Sequence, residues 1–305
     1  MRSIPSHAMI TVGNLNDEGV DRAERRHFLR DWHRLERGVY VRTIPDNPED
    51  AHLLRARAAL RRHGSGAVLS HQTAALVWEL PVFGTALERV RLSRIGTLST
   101  PEMRHPTVKM SGSILPRRDV VVHQGVPVTA AVRTVLDCAR LLPVRGGIAI
   151  ADAAAAAGLL RDREVRRVLA QMKGWKGVGR ARTVLSLLDP AAESPGESAA
   201  RVTMNQLGFR TKSQFEIRDE SGFIARVDFL IVGTRVVVEF DGHAKYGSDA
   251  TENHEQFWKE KRRHDAIVAA GYEVVRLTWP DLNEPTTVHR LLDRAIERSD
   301  RRHGR

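Results

Sequence analysis

Three acidic side chains fall on two neighbouring predicted strands in the last third of the chain. Asp228 lies in the apolar run 224–231, whereas Glu239 and Asp241 lie in the run 235–241. A Gly-Thr pair between the runs predicts a two-residue hairpin turn, which places Asp228 opposite Glu239. Opposed Cβ atoms in an antiparallel pair lie about 4.5–5.5 Å apart, and Asp241, two residues further on, projects from the same face.

Two carboxylates held this close repel each other unless a cation neutralises them. Oxygen ligands suit Mg²⁺ or Mn²⁺, so we predict a metal site at Asp228, Glu239 and Asp241. Aspartate is depleted in strand interiors, which argues against a purely solubilising role for these residues. The alternative is a solvent-facing strand whose charges pair with Arg226 or Arg235.

Glu197 begins the helix that precedes these strands, and two roles for it stay open. An acidic residue in the first turn of a helix stabilises the helix dipole, which is a sufficient explanation by itself. In a nuclease, the same carboxylate could join the metal site. Arg276, in the last predicted strand, could also touch the site or one of its carboxylates.

The elements that position these side chains follow the order α-β-β-β-α-β-α, and the sheet face opposite the carboxylates is apolar. Periodicity and turn residues predict each element. The predicted helices are 197–207, 252–270 and 286–299, and the predicted strands are 209–217, 224–231, 235–241 and 272–277.

The composition is that of a globular protein with an uneven distribution of charge. Of the 305 residues, 42% are hydrophobic and 28% are charged, and the single cysteine excludes an internal disulfide. The chain has no apolar run of the roughly 18 residues that a membrane span needs, and its N-terminus lacks the pattern of a signal peptide. We therefore expect a cytoplasmic protein with no membrane partner.

The basic charge is concentrated in the first two-thirds of the chain. Residues 1–192 contain 30 Lys and Arg against 18 Asp and Glu, whereas residues 193–305 contain 18 against 19. A basic surface attracts nucleic acid because binding to the phosphates releases counterions, so DNA is a candidate partner. An arginine-rich proteome would produce the same excess without any such partner.

A short basic helix over residues 21–35, followed by a strand, is typical of a winged-helix module. A turn at Arg37-Gly38 joins this helix to the strand. No element is predicted for residues 1–16. Arg25, Arg26 and Arg37 are therefore the predicted DNA contacts of this segment.

The chain is predicted to be a multidomain protein of the α/β (α+β) class. Residues 1–45 form the winged-helix-like segment, residues 46–190 a middle domain, and residues 191–305 the domain with the carboxylates. The last boundary falls where Pro, Gly, Ser and Ala interrupt the pattern. The predicted helices of the middle domain include 49–63, 129–142 and 146–172.

Several short segments between residues 196 and 282 form a pattern together. They are Gly196-Glu197-Ser198, Val227-Asp228-Phe229, Val238-Glu239-Phe240-Asp241-Gly242, Glu260-Lys261-Arg262-Arg263-His264-Asp265 and Ala270-Gly271-Tyr272-Glu273-Val274-Val275-Arg276-Leu277-Thr278-Trp279. This pattern resembles the restriction-endonuclease-like superfamily, whose signature is PD-(D/E)xK, and in particular its Vsr-like (very short patch repair) branch.

That resemblance implies that Asp228 and Glu239 are the central metal ligands and that Glu197 is the helix carboxylate near them. Asp241 occupies the place where the signature usually has a lysine, so the expected lysine is missing there. The other residues that could supply a cation or carry a proton nearby are Lys245, Lys259, His243 and His254.

Three segments of the first 190 residues point to a second family. They are Leu35-Glu36-Arg37-Gly38-Val39-Tyr40, Val68-Leu69-Ser70-His71-Gln72-Thr73-Ala74-Ala75 and Val128-Thr129-Ala130-Ala131-Val132-Arg133-Thr134-Val135-Leu136-Asp137. This region resembles the antitoxin of AbiE-type (type IV) toxin–antitoxin systems in its actinobacterial form. The resemblance implies a transcriptional repressor with an N-terminal winged helix, here with one helix before the wing, and a cognate toxin as partner.

The leading hypothesis is a DNA-binding protein whose last domain hydrolyses phosphodiester bonds with Mg²⁺ or Mn²⁺. Arg262 and Arg263, on the helix after the site, could bind flanking phosphates. They could equally pair with Glu255, Glu260 or Asp265 along that helix. The alternative is a non-catalytic regulator or antitoxin whose nuclease fold serves binding or homodimerisation. A protein-interaction scaffold is a third interpretation, which predicts no salt-dependent affinity for DNA.

Overall fold

The computed structural model describes residues 9–85, 87–96, 106–220, 222–242 and 253–304. The chain divides into two compact units, Met1–Leu185 (unit 1) and Ser186–Arg305 (unit 2). Both units combine helices with β-sheets, which confirms the predicted fold class, a multidomain α+β protein. A helix able to cross a membrane is not found among the described residues.

Unit 1 contains a three-stranded and a five-stranded sheet, with strand orders β1-β3-β2 and β6-β5-β4-β8-β7. In chain order its elements are β1 (Met9–Thr11), α1 (Val12–Asp17), α2 (Arg22–Phe28), β2 (His33–Glu36), β3 (Val39–Val41), α3 (Pro48–His63), β4 (Ala67–Leu69), α4 (His71–Val77), β5 (Val90–Arg94), β6 (Val108–Met110), a 3-10 turn (Arg117–Asp119), β7 (Val120–His123), β8 (Val126–Thr129), α5 (Ala131–Leu141), α6 (Val144–Ala156), α7 (Asp162–Gln171) and α8 (Val178–Ser186).

Two short helices precede the β2–β3 hairpin, where the sequence predicted a single longer one. The predicted helix over 21–35 ends at Phe28, and α1 lies in a stretch for which no element was predicted. Each helix is held by a capping box: Asp21 accepts from the backbone N–H of Glu24 at 2.9 Å, and Thr11 serves α1 in the same way. Helices this short show too few turns for a periodic pattern.

Helix α3 joins the two sheets of unit 1. It begins after the capping residue Asn47 and ends at Gly64, whose φ of 68° is a backbone conformation that favours glycine. Leu54 of α3 packs against the three-stranded sheet, and Leu53 packs against the five-stranded sheet. The predicted segment 1–45 therefore shares its core with the region that follows it and is not a separate unit.

The alanine-rich part of unit 1 differs from its prediction at one position. The predicted helix 146–172 is divided into α6 and α7 at Gly158, which has a φ of 68°. A left-handed glycine ends a helix because its backbone N–H can satisfy the free carbonyls of the last turn. The predicted helices 49–63 and 129–142 are observed as α3 and α5, with small shifts at their ends.

Unit 2 follows the predicted order α-β-β-β-α-β-α, with one additional short helix. Its elements are α9 (Pro195–Gln206), β9 (Thr211–Asp219), β10 (Gly222–Ile231), β11 (Val236–Asp241), α10 (Asn253–Ala269), β12 (Glu273–Thr278), α11 (Trp279–Asn283) and α12 (Pro285–His303). They surround one sheet of strand order β12-β11-β10-β9, in which β12 runs parallel to β11 and the other pairs are antiparallel.

Helices cover both faces of this sheet near the acidic residues. Consecutive residues of a strand point to opposite faces. Glu239 faces α10, where Arg263 pairs with it, whereas the ring of Phe240 lies against Gly196 of α9 and Trp279 of α11. The prediction of one packed face and one open face therefore needs correction, because Ile267 of α10 also covers part of the carboxylate face.

Candidate carboxylate site

The β10–β11 hairpin brings the two central carboxylates together. Phe229 pairs with Val238 and Leu230 pairs with Val237, so the same register continued by one residue sets Asp228 opposite Glu239. This confirms the predicted register. We refer to Asp228 and Glu239 as the carboxylate pair.

The same row of the sheet extends to the strands on either side. The register of β9 against β10 places Gln214 opposite Asp228, and β11 pairs with β12 so that Glu239 lies beside Arg276. Gln214 has a φ of 49°, an irregularity within β9. No pattern in the sequence points to Gln214, because its position depends on this local irregularity and on the pairing of distant strands.

Asp228 is half-buried, and its environment makes ionisation costly. Its Oδ2 accepts a hydrogen bond from the backbone N–H of Phe240 at 2.7 Å. The pKa of Asp228 is raised to about 6, mainly by burial and also by the nearby charges of Glu197 and Glu239, while the Phe240 hydrogen bond and Arg263 oppose that rise. A carboxyl group with such a pKa exchanges its proton close to neutral pH, which is common in functional sites.

Glu197 is directed into this site. Ser194 caps α9 by accepting from the backbone N–H of Glu197 at 3.1 Å, which fixes the first turn of the helix. The side chain is buried, and its Oε2 accepts from Gln214 Nε2 at 2.9 Å and from the Glu193 backbone N–H at 3.0 Å. Its negative charge acts on Asp228. Glu197 therefore lies close enough to Asp228 for its charge to act there, in addition to its place in the first turn of α9.

Two arginines lie against Glu239. Arg263 Nη1 is 2.6 Å from Glu239 Oε1, and Arg276 Nε is 3.6 Å from Oε2. The Arg263 guanidinium also donates through Nη2 to the backbone carbonyl of Arg226 at 2.7 Å. Arg263 is thus engaged within the site, although 32% of its side chain remains exposed to solvent.

Glu260 connects the two arginines on their outer side. Its Oε1 lies 2.6 Å from Arg276 Nη2 and 3.5 Å from Arg263 Nη1. Pairing of Arg263 with Glu260 along the helix was one of the two roles considered for that arginine. Pairing with Glu239 was not foreseen, because it joins α10 to a strand that is distant in sequence.

Asp241 lies two residues beyond Glu239, at the end of the strand. It is the exposed last residue of β11 and pairs in register with Thr278 of β12. Within the described ranges, no group of three His, Cys, Asp or Glu side chains is placed to hold a metal ion. The structure therefore does not assemble the predicted ligand set of Asp228, Glu239 and Asp241 from these residues, and Mg²⁺ or Mn²⁺ stays a prediction.

The structure describes only some of the residues that were considered as substitutes for the signature lysine. Lys259 is exposed on α10. Lys245 and His243 lie outside the described residues, as does the side chain of His254. Arg262 is exposed, and its Nε donates to the backbone carbonyl of Trp258 at 3.3 Å, so it remains accessible to a phosphate.

The arginines predicted to contact DNA in unit 1 are exposed to different degrees. Arg26 is exposed on α2, and Arg37 is exposed in the turn between β2 and β3. Arg25 is partly buried, because it donates to Asn16 Oδ1 and to the backbone carbonyl of Asp21, which ties α1 to α2. Arg26 and Arg37 are therefore better placed than Arg25 to reach a partner.

Comparisons with known proteins find similar chains whose names state no activity. No family model matches the sequence. Two proteins of Mycobacterium tuberculosis, uncharacterized protein MT2308 and uncharacterized protein Rv2248, are each 26% identical over 284 residues, which cover 89% of this chain and 93% of theirs. The crystal structure of Rv2827c from the same organism aligns at 16% identity with a TM-score of 0.42, over 63% of this chain and 75% of that one.

Proposed function

We propose that unit 2 is a metal-dependent endonuclease domain that hydrolyses DNA phosphodiester bonds and that unit 1 binds DNA. The observation that carries the proposal is the carboxylate pair, opposed on neighbouring strands with Glu197 directed toward it. Ordinary surface strands do not bring three acids together at a position where burial raises a carboxyl pKa to about 6.

The residues of the site fit a divalent cation in charge and in ligand chemistry. Three carboxylates, of Asp228, Glu239 and Glu260, lie near the guanidinium groups of Arg263 and Arg276, and the charge of a fourth, Glu197, acts on Asp228. This excess of acid is what a hard cation with oxygen ligands would balance. Asp228 and Glu239 would hold it, and the bound ion would polarise a phosphoryl oxygen and lower the pKa of a water molecule.

The residues around the pair have definite tasks in this proposal. The backbone N–H of Phe240 fixes one oxygen of Asp228, which leaves the other free to bind a cation. Gln214 holds the carboxylate of Glu197 in the site through its amide. The excess negative charge falls when Asp228 is protonated, so protons compete with a cation for this carboxylate.

The fold of unit 2 supports the same proposal. The order α-β-β-β-α-β, with β12 parallel to β11, is the order expected from the resemblance to restriction-endonuclease-like domains. The departure is Asp241, which stands where the signature usually has lysine. Arg263 brings a cation to Glu239 from α10, close to where that lysine's charge would be required.

The first elements of unit 1 support a role in DNA binding. Helices α1 and α2 followed by the β2–β3 hairpin, with strand order β1-β3-β2, correspond to a helix-turn-helix with a wing. Arg26 lies on the second helix and Arg37 at the tip of the hairpin, where such modules contact DNA. The basic excess of residues 1–192 would add affinity that does not depend on base sequence.

A second candidate function is a non-catalytic DNA-binding regulator, such as an antitoxin with a cognate toxin as partner. The observation in its favour is that Arg263 and Arg276 already neutralise Glu239, as they would in a disabled site. Asp241 at the lysine position points the same way. In this case unit 2 would serve binding or homodimerisation, and the carboxylate pair would be a remnant.

A plasmid-nicking assay with Mg²⁺ or Mn²⁺ separates the two functions. We expect the wild type to nick supercoiled DNA, and we expect Asp228→Asn and Glu239→Gln to lose activity by about 100-fold or more, because each removes a ligand. Asp265→Asn, which changes an exposed acid on α10, is the matched control and should keep full activity. Equal activity in all four proteins would exclude this site, and DNA binding without nicking would support the regulator.

A further inference from the structure

We infer that Arg263 occupies Glu239 in the metal-free protein and that a DNA phosphate draws it away, so that DNA binding opens the carboxylate pair to the metal ion. This inference rests on the proposed nuclease function and goes beyond it. It predicts the order of events and the residue that enforces it.

The first observation is electrostatic. Arg263 Nη1 lies 2.6 Å from Glu239 Oε1, so its charge neutralises that oxygen. A carboxylate oxygen has a second lone pair, but a metal ion bound there would be repelled by the neighbouring guanidinium. Arg263 therefore weakens the binding of an ion at Glu239, and a bound ion would weaken the hold of Glu239 on Arg263.

The second observation is that the contact is imperfect. Glu239 Oε1 is buried, and the Arg263 N–H is not aligned to form a hydrogen bond with it despite the short distance. A buried carboxylate oxygen without a hydrogen bond carries a cost in free energy, which a metal ligand bond would relieve. Glu239 is thus held by charge alone at this oxygen, and the pairing can be exchanged.

The third observation concerns where Arg263 can move. About a third of its side chain is exposed, and its other partners are the Arg226 carbonyl and the half-exposed Glu260. A guanidinium binds phosphate with two parallel hydrogen bonds, a stronger arrangement than its single contact with Glu239. A phosphate arriving at the site therefore offers Arg263 a better partner, and Arg276 stays beside Glu260.

The inference is tested by Mn²⁺ titration followed by electron paramagnetic resonance, with and without a phosphorothioate duplex that resists cleavage. For the wild type, we expect the duplex to raise the Mn²⁺ affinity about tenfold or more. Arg263→Gln should bind Mn²⁺ that tightly without DNA and should gain little when the duplex is added. Arg294→Gln, which alters an exposed arginine of α12 that has no part in the proposed site, is the matched control and should behave like the wild type.

Two further measurements protect the test against a folding defect. Arg263→Lys keeps the charge but loses the planar fork, and it should show an intermediate Mn²⁺ affinity without DNA. In the wild type, Mn²⁺ must tighten duplex binding by the same factor by which the duplex tightens Mn²⁺ binding, because coupling of two ligands is reciprocal.

The possible results have distinct meanings. If Arg263→Gln binds Mn²⁺ no better than the wild type without DNA, or if the duplex leaves the wild-type affinity for Mn²⁺ unchanged, the proposed displacement of Arg263 is wrong. Neither result contradicts the proposed nicking activity. If none of the proteins binds Mn²⁺ with or without the duplex, the proposed function fails as well.

Discussion

Both units contain a cluster of arginines and carboxylates, and the two clusters differ in every other respect. The buried cluster of unit 1 consists of Asp119, Arg133, Asp137 and Arg140. The site cluster of unit 2 consists of Asp228, Glu239, Arg263 and Arg276. Comparing them shows which features distinguish an ion cluster that holds a fold together from one that is available for chemistry.

The carboxylates of the buried cluster are all paired with arginine, because Arg167 Nη1 also lies 2.8 Å from Asp119 Oδ1. Asp137 is fully buried, and its two oxygens accept from Arg133 Nε at 2.7 Å and Arg140 Nε at 2.9 Å. Trp175 lies against both guanidinium groups, 5.0 and 5.2 Å from its ring centre. Burial by itself would raise the pKa of Asp137, but the charges of His71, Arg133 and Arg140 hold it below its usual value.

The site cluster is open and has an excess of acid. Its arginines are 32% and 48% exposed, and the pKa of Asp228 is raised to about 6 where that of Asp137 is lowered. A buried oxygen without an aligned hydrogen bond does not separate the two clusters, because Glu239 Oε1 and both oxygens of Asp119 share that feature. An ion cluster alone is therefore a poor sign of function, whereas unmatched charge next to solvent is a better one.

The largest expected effect is that of Asp137→Ala in the buried cluster. The substitution leaves two buried guanidinium groups without their carboxylate, so unit 1 should lose about 3–5 kcal/mol of stability. Native-state hydrogen exchange of α5 amides in the full chain would measure it. Asp162→Ala, which removes a carboxylate from an exposed pair with Arg166, is the control and should leave α5 unchanged. A tolerated Asp137→Ala would mean that the buried cluster is not structural.

The next effect is smaller and falls on the packing behind the site cluster. In Gly196→Ala the new Cβ would lie 1.9 Å from Cε1 of Phe240, so the ring must move. We expect a loss of about 1–3 kcal/mol in unit 2 and a weakened Phe240–Asp228 hydrogen bond. Gly179→Ala, in α8 with open space at its Cβ, is the control and should be neutral or stabilising. Unchanged amide hydrogen exchange in β10 and β11 of Gly196→Ala would contradict the tight packing of Phe240 against Gly196.

Sequence reasoning predicted those parts of the site that depend on local geometry. The two-residue turn and the strict alternation of a strand determine the hairpin register, which is why the pairing of Asp228 with Glu239 was foreseen. Cys138 lies in an apolar helical stretch of the sequence, and the structure buries it. The same helix hides Asp137 and Arg133, which the alternation of polar and apolar residues does not reveal.

The remaining parts depend on contacts between distant segments. Arg276, which was expected to touch the site or one of its carboxylates, does lie beside Glu239. The contacts of Arg263 with Glu239 from α10, and of Gln214 with Glu197 through an irregularity in β9, were not foreseen. Neither spacing nor composition encodes which arginine of a helix turns toward a strand. Helix α1 and the early end of α2 escaped prediction because capping side chains hold these short helices and long apolar faces are absent from them.

The pH dependence of stability should distinguish the two clusters, because the pKa of Asp228 is raised whereas that of Asp137 is lowered. A raised folded-state pKa means that the contribution of this group to stability is fully present below about pH 4 and is lost as the pH rises through about 6. The free energy of unfolding of Asp228→Asn should therefore increase relative to that of the wild type as the pH rises. The difference should reach about 1–2 kcal/mol at pH 7, after allowance for solvent exposure. Hydrogen exchange of β10 in metal-free protein from pH 5 to pH 8, with Asp265→Asn as control, would measure it. A difference that does not change with pH would contradict the raised pKa.

The smallest expected effect is that of Arg263→Gln on stability, and it is the most direct test of the comparison. Arg263 is partly exposed, and Arg276 remains 3.6 Å from Glu239 when Arg263 is gone, so solvent and the second arginine compensate for most of the loss. We expect unit 2 to lose no more than about 1 kcal/mol, measured by hydrogen exchange of β11 amides. A loss as large as that of Asp137→Ala in unit 1 would show that Arg263 is part of the framework of the fold. The site cluster would then be structural like the buried one, and Arg263 could not leave Glu239 when DNA arrives.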